Sequence, residues 1–157
     1  MWENERLLKF VPRDIVDARS RRRLMAPEDD FNHVLIGKGA KAVADAGGTV
    51  LMGAHGQLQG LGAHWETWMM VQGGMAPIEA LATATCDAAW YLGLDADLGS
   101  LETGKLADLV VLDRNPLDDI RNTEAIAMVM QNGRLFDREL NEIGNHPAKR
   151  LPFYWER

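Results

Sequence analysis

With one cysteine, Cys86, among 157 residues, the chain has no partner for an internal disulfide, so no cystine scaffold holds the fold. Cys86 falls in an alanine-rich helical run, where a thiol serves as a small apolar filler rather than a nucleophile. No apolar run approaches the roughly 20 residues that a bilayer-spanning helix requires, and no membrane partner is expected. Cationic side chains are in deficit, 17 Lys and Arg against 23 Asp and Glu, and the net charge of −6 argues against nucleic acid as a partner. The cluster Arg19, Arg21, Arg22 and Arg23 is too short to reverse that and reads as a solvated helix face or a set of ion pairs. Met1-Trp-Glu-Asn-Glu has neither the basic start nor the apolar stretch of an export signal.

Several catalytic signatures are also missing. The chain has no His-x-His pair, no Cys cluster, no His-Glu-x-x-His helix, no glycine-rich phosphate loop and no Gly-x-Ser-x-Gly elbow. A metal site normally takes at least three protein ligands, so these residues do not by themselves assemble a complete one.

What is present suits one domain with a real core, since 46% of the residues are hydrophobic and eight Met and five Trp supply bulky, adaptable side chains. After a short mixed opening to Val11, a helix is expected from Pro12 to Leu24, with Asp14 near its amino end and the arginines near its carboxyl end. A second helix is expected from Pro27 to Ala46, started by Pro27, Glu28, Asp29 and Asp30 and stopped by Gly47-Gly48. Its apolar stripe is Phe31, Val34, Leu35, Ala42, Val43 and Ala46, and Gly37 and Gly39 weaken it. Thr49 to Met52 reads as a buried parallel strand, giving an α/β order of helix, strand, loop and helix.

A glycine-rich loop, Gly53 to Gly62, leads into a helix from Ala63 to Gln72 that Gly73-Gly74 ends. Met75-Ala76-Pro77 starts another, with Ile78, Leu81, Ala82, Thr85, Ala88, Ala89 and Leu92 at helical spacing and Gly93 as its stop. Beyond it the pattern turns to β. Leu98 to Leu101 and Leu109 to Leu112 read as strands, with Glu102-Thr103-Gly104-Lys105 as a turn between them. Ile126 to Gln131 and Arg134 to Phe136 form a hairpin about Asn132-Gly133, residues that accept the positive φ of a two-residue turn. From Asp137 onward the chain reads as an extended tail whose aromatics, Phe153, Tyr154 and Trp155, dock elsewhere.

Two histidines stand where chemistry is expected. His55 follows the Thr49–Met52 strand, and the carboxyl end of a parallel strand is where α/β barrels place reactive groups. Glycines on either side let a backbone approach a ligand or metal, and a neutral imidazole ligates zinc. The bland alternative is a loop histidine bonded to its neighbours. His64 opens the next helix, with Trp65, Glu66 and Trp68 beside it. His64 and Glu66 are two residues apart, so they do not share a helix face as a metal pair would. Glu66 also suits a helix start for its charge alone, and Trp65 and Trp68 fit the core better than a pocket wall. His33 in the second helix and His146 in the tail carry no such context.

Three segments resemble the end of an amidohydrolase-superfamily chain, of the imidazolonepropionase and prolidase-like kind. They are Gly74-Met-Ala-Pro-Ile-Glu-Ala-Leu81, then Ala84-Thr-Cys-Asp-Ala-Ala89 followed by Leu92-Gly93, then Leu98-Gly-Ser-Leu-Glu-Thr-Gly-Lys-Leu-Ala-Asp-Leu-Val-Val-Leu-Asp113. The resemblance implies an α/β fold, the C-terminal portion of a TIM-like (β/α)8 barrel of a metal-dependent hydrolase plus the C-terminal strands of a small composite β-sandwich. The barrel part is expected over residues 1–95, the sandwich strands over 96–137 and the tail over 138–157. Thr49 to Met52 then resembles the eighth barrel strand, and the family's other metal ligands have no counterpart here, so the chain is expected to be a C-terminal fragment.

The implied activity is metal-assisted hydrolysis of carbon–nitrogen bonds in a small amide or cyclic amide, with a divalent metal, zinc first, lowering the pKa of the attacking water. The family usually has an Asp just after the eighth strand, and His55 stands at that position, as catalytic residue or metal ligand. His64 is the second catalytic candidate, and Gln57, Glu66 and Trp65 are the candidate pocket wall. Asp87 replaces a usual Asn. The string from Gly53 to Glu66 resembles a branch joined to a TolB-like propeller in exported proteins, which implies a periplasmic or secreted location, a cytoplasmic one being the alternative. The competing expectation is an inactive remnant or binding module that self-associates through exposed strand edges.

Overall fold

The computed structural model describes residues 4–20, 27, 30–55, 58, 60–144 and 146–151, with no side-chain description at Arg19 and Ser20. The chain divides into two units, one of residues 1–32 with 151–157, the other of residues 33–150.

In the first unit, the opening read as short and mixed contains a helix, α1 (Glu5–Phe10). The Asn4 side chain accepts a hydrogen bond from the Leu7 amide at 2.8 Å, so a local cap sets its start. Helix α2 (Arg13–Ser20) follows, its first turn closed by the Val16 amide on the Pro12 carbonyl at 3.2 Å. Leu7 and Val16 are the buried side chains. The arginines at 21–23 lie outside the described residues.

The second unit begins with α3 (His33–Asp45), several residues later than the sequence pattern placed it. Its packed face also differs from expectation. Gly37 is buried and Ala40 and Ala44 pack on the core, whereas Leu35, Ile36 and Val43 are exposed. Small residues win because α3 crosses α4 (Leu61–Gln72) with backbone against backbone. A Cβ on Gly37 would lie 2.3 Å from the Met69 carbonyl oxygen. The core around this crossing is Met70, Met75 and Ala80, with Val50, Met52 and Val71 against it.

Thr49 to Met52 is not a strand: Val50 and Met52 pack against that core, but the run joins no sheet among the described residues. A strand needs a partner edge, and the hydrogen bond described for this run goes instead from the Met52 amide to the Thr83 carbonyl, 3.1 Å. The helix expected from Met75 to Leu92 is two helices, α5 (Pro77–Ala82) and α6 (Cys86–Tyr91). Between them the Thr83 hydroxyl donates to the Ala80 carbonyl at 2.7 Å and the Thr85 hydroxyl to that of Leu81 at 2.9 Å. Such back-bonding competes with the helical ladder, and the Thr83 carbonyl is already taken by Met52.

Leu98 to Leu101, expected as a strand, is a series of bends. Gly99, at φ +89°, sits so close to α6 that a Cβ would lie 2.5 Å from that of Ala89. The following turn is as expected, and the Lys105 ammonium ties it together by donating to the Asp95 carbonyl and the Ser100 hydroxyl, each at 2.6 Å.

The β element is an antiparallel sheet in the order β1 (Leu109–Leu112), β2 (Ile126–Gln131), β3 (Arg134–Phe136) and β4 (Glu142–Ile143). A 3-10 helix, Ile120–Glu124, links β1 to β2. The hairpin forms as read, with Asn132 at φ +49° and Gly133 at φ +77° between the paired Gln131 and Arg134. The segment read as an extended tail adds β4, held to β3 by Arg134 donating to both carboxylate oxygens of Glu142, at 3.0 and 2.6 Å. Residues 152–157, with the aromatics expected to dock, lie outside the described residues.

Candidate functional site

The run from Val50 to Met52 leads to Gly53, Ala54 and His55, and Gly53 meets α4. The Glu66 carboxylate accepts a hydrogen bond from the Gly53 amide at 3.0 Å. A side chain on α4 thereby holds the backbone two residues before His55. His55 is exposed and left-handed at φ +51°, a conformation uncommon for a residue with a Cβ. Gln57 lies outside the described residues, and Trp65 is 39% exposed.

His64 belongs to a different cluster. Its Nδ1 is 3.0 Å from the Thr123 hydroxyl, and the Trp68 indole N–H donates to the same oxygen at 3.0 Å. Thr123 is buried in the 3-10 helix, whose start is set by the Asp119 carboxylate accepting from the Arg121 amide at 2.9 Å. The Arg121 guanidinium lies 5.9 Å from the centre of the Trp68 ring, within cation–π range. Residues 64 and 68 are one helical turn apart and meet one hydroxyl, whereas residue 66 points to another part of the unit.

The structure therefore separates the sequence-nominated residues: Glu66 reaches toward the His55 segment, and His64 is bonded to the 3-10 helix before β2. Thr123 was not legible as a partner, because 59 positions separate it from His64 and no local motif marks it. Glu66, nominated as pocket wall, binds a backbone amide.

Among the described residues, no three His, Cys, Asp or Glu side chains gather closely enough to hold a metal ion. The donor set present does not fit a complete metal site, and His55 stands as a single candidate ligand. No described helix is long and apolar enough to cross a membrane.

The second unit is mixed α/β, helices followed by an antiparallel sheet, and comparison with known proteins gives the class. The Amidohydrolase family model matches residues 27–136, and the chain belongs to that family. Ochratoxinase from Aspergillus niger is 34% identical over 103 residues, 63% of this chain and 22% of that protein. Imidazolonepropionase from Symbiobacterium thermophilum is 45% identical over 65 residues, 40% of this chain and 15% of that protein. Among solved structures, a Xaa-Pro dipeptidase with bound methionine in its active site matches with a TM-score of 0.60 and 32% identity, covering 65% of this chain and 25% of that one. The chain thus spans about a quarter or less of the length of these relatives.

Proposed function

We propose that this chain is the C-terminal part of a metal-dependent amidohydrolase that cleaves carbon–nitrogen bonds in small amides or cyclic amides, and that His55 is its contribution to the reacting centre. The observation that carries this reading is the Gly53–Glu66 hydrogen bond, which fixes the end of the core-packed run Val50–Met52 and with it the left-handed His55. The relatives' names, an ochratoxinase, an imidazolonepropionase and a Xaa-Pro dipeptidase, support a small-molecule substrate. Metal dependence, zinc first, belongs to this proposal and requires ligands beyond the described residues. Residues Trp65 and Gln57 are proposed pocket wall.

The test compares the protein extended through a complete barrel with its His55→Ala variant, by bound metal and by hydrolysis of N-acyl amino acids and imidazolone-type cyclic amides. Loss of hydrolysis with the fold retained supports the reading; unchanged metal content and rate remove His55 from the site. An exported location is part of the same proposal, and fractionation of the native cell checks it.

A second reading is favoured by the exposed apolar side chains of α3 and α6. Leu35 and Ile36 are 62% and 60% exposed, and Trp90 and Tyr91 60% and 68%. We propose that the 157-residue chain by itself is inactive and self-associates, through these faces more than through strand edges. A monodisperse monomer by light scattering, with a cooperative melt, would count against it.

A further inference from the structure

The Thr123 hydroxyl is a buried group with one proton and two acceptor lone pairs. The Trp68 indole N–H only donates, so it takes a lone pair, at 3.0 Å. That leaves the hydroxyl with one proton to place and one lone pair, facing His64 Nδ1 at 3.0 Å. Two arrangements are open. In one, Thr123 donates to an unprotonated Nδ1 and its proton is satisfied. In the other, Nδ1–H donates to Thr123, and the hydroxyl proton must find a different acceptor. The hydrogen bonds of the Thr123 hydroxyl among the described residues are those to Trp68 and His64, so the second arrangement leaves a buried O–H unspent. A buried donor without a partner is costly, and the first arrangement avoids this.

We infer that Thr123 is a positioning residue that fixes His64 in the neutral tautomer carrying its proton on Nε2, with Trp68 fixing Thr123 in turn. The two ring nitrogens of a histidine do different work, and the bond made by one decides what the other offers. An imidazole held this way accepts at Nδ1 and keeps its proton on Nε2, so it serves neither as a metal ligand nor as a base at Nε2.

The test reads the tautomer directly. The full chain is labelled with 15N in its histidines, and the His64 ring resonances are identified by their loss in His64→Ala. At neutral pH the expectation is an unprotonated-type shift for Nδ1 and a protonated-type shift for Nε2. Thr123→Val should move both toward the averaged positions of exchanging tautomers and release the Trp68 indole N–H to faster solvent exchange. Thr123→Ser should restore both signatures. A protonated Nδ1 in the unsubstituted chain overturns the inference, even where the Val variant folds poorly. Shifts identical in the Val and unsubstituted chains overturn Thr123 as the cause.

Discussion

Gly37 of α3 and Gly73 at the end of α4 meet backbone to backbone. A Cβ on Gly73 would lie 2.0 Å from the Gly37 carbonyl carbon, and one on Gly37 would lie 3.0 Å from the Gly73 Cα and closer still to the Met69 carbonyl oxygen. These obstructions are main-chain atoms, so no rotamer change relieves them. Gly73 has φ −76°, a helical value open to any residue, so its need for glycine comes from this approach and not from its own conformation.

Gly37→Ala and Gly73→Ala are each expected to lower stability by about 1–3 kcal/mol, the usual range for overpacking a closed contact. Gly39, on the same helix, faces open space among the described residues, with nothing outside its own helical turn and chain neighbours within 4 Å of where a Cβ would stand. Gly39→Ala should therefore raise stability by roughly 0.5–1 kcal/mol through helix propensity. Urea denaturation midpoints of the three variants check the opposite signs.

The same pair explains part of what was legible in the sequence. Large apolar residues at helical spacing marked α3 as a helix, yet the face that packs is Gly37, Ala40 and Ala44. Periodicity reports which positions are apolar; it does not report whether a neighbour comes close enough to demand small ones. The Asn132-Gly133 hairpin was legible because its requirement is local, two consecutive positive φ angles. Strand β4 was not, because its warrant is the pairing of Arg134 with Glu142 across an irregular loop. Thr49 to Met52 has strand composition without a ladder, since composition supplies no partner edge. At the candidate site, His55 and Glu66 were visible as residue types in a glycine-rich setting, whereas the hydroxyl that engages His64 lies far along the chain.

At the hairpin, Gly133→Ala is expected to cost about 1–2 kcal/mol, the penalty for a Cβ in the left-handed region. Asn132→Gly should be close to neutral, because glycine accepts φ +49° without strain. The turn is also held by the Asp108 carboxylate accepting from the Asn132 amide at 2.5 Å, so Asp108→Ala should destabilise in the same direction as Gly133→Ala. Thermal melts of the three variants give the order.

The Arg134–Glu142 pair makes stability depend on acid. Hydrogen bonding from the Arg134 guanidinium holds the Glu142 carboxyl below the ordinary carboxylate value. A carboxylate with a depressed folded-state pKa contributes stability that is fully present above its unfolded-state pKa. That contribution is lost as pH falls through the lower, folded-state value. Stability measured from neutral pH down into the acid range should therefore fall more in the unsubstituted chain than in Glu142→Gln, which lacks the titrating group. Equal slopes would show that Glu142 adds nothing to the acid sensitivity.

Glu66 offers the most direct check on how the His55 segment is held. Its carboxylate binds the Gly53 amide, and that bond joins α4 to the backbone that carries His55. In Glu66→Ala the amide loses its acceptor, and hydrogen exchange at Gly53 should accelerate while amides in the α3–α4 crossing keep their protection. In Glu66→Gln a side-chain carbonyl can still accept, so exchange should return most of the way to the original rate. A purely solubilising glutamate would leave Gly53 unchanged in both. Under the proposal that His55 acts in a hydrolase, the longer protein's hydrolysis should follow the same order, with Ala lower than Gln and Gln lower than the unsubstituted protein, because a left-handed histidine on a loosened backbone spends less time in one geometry and misplacement of a reacting group is costly to rate.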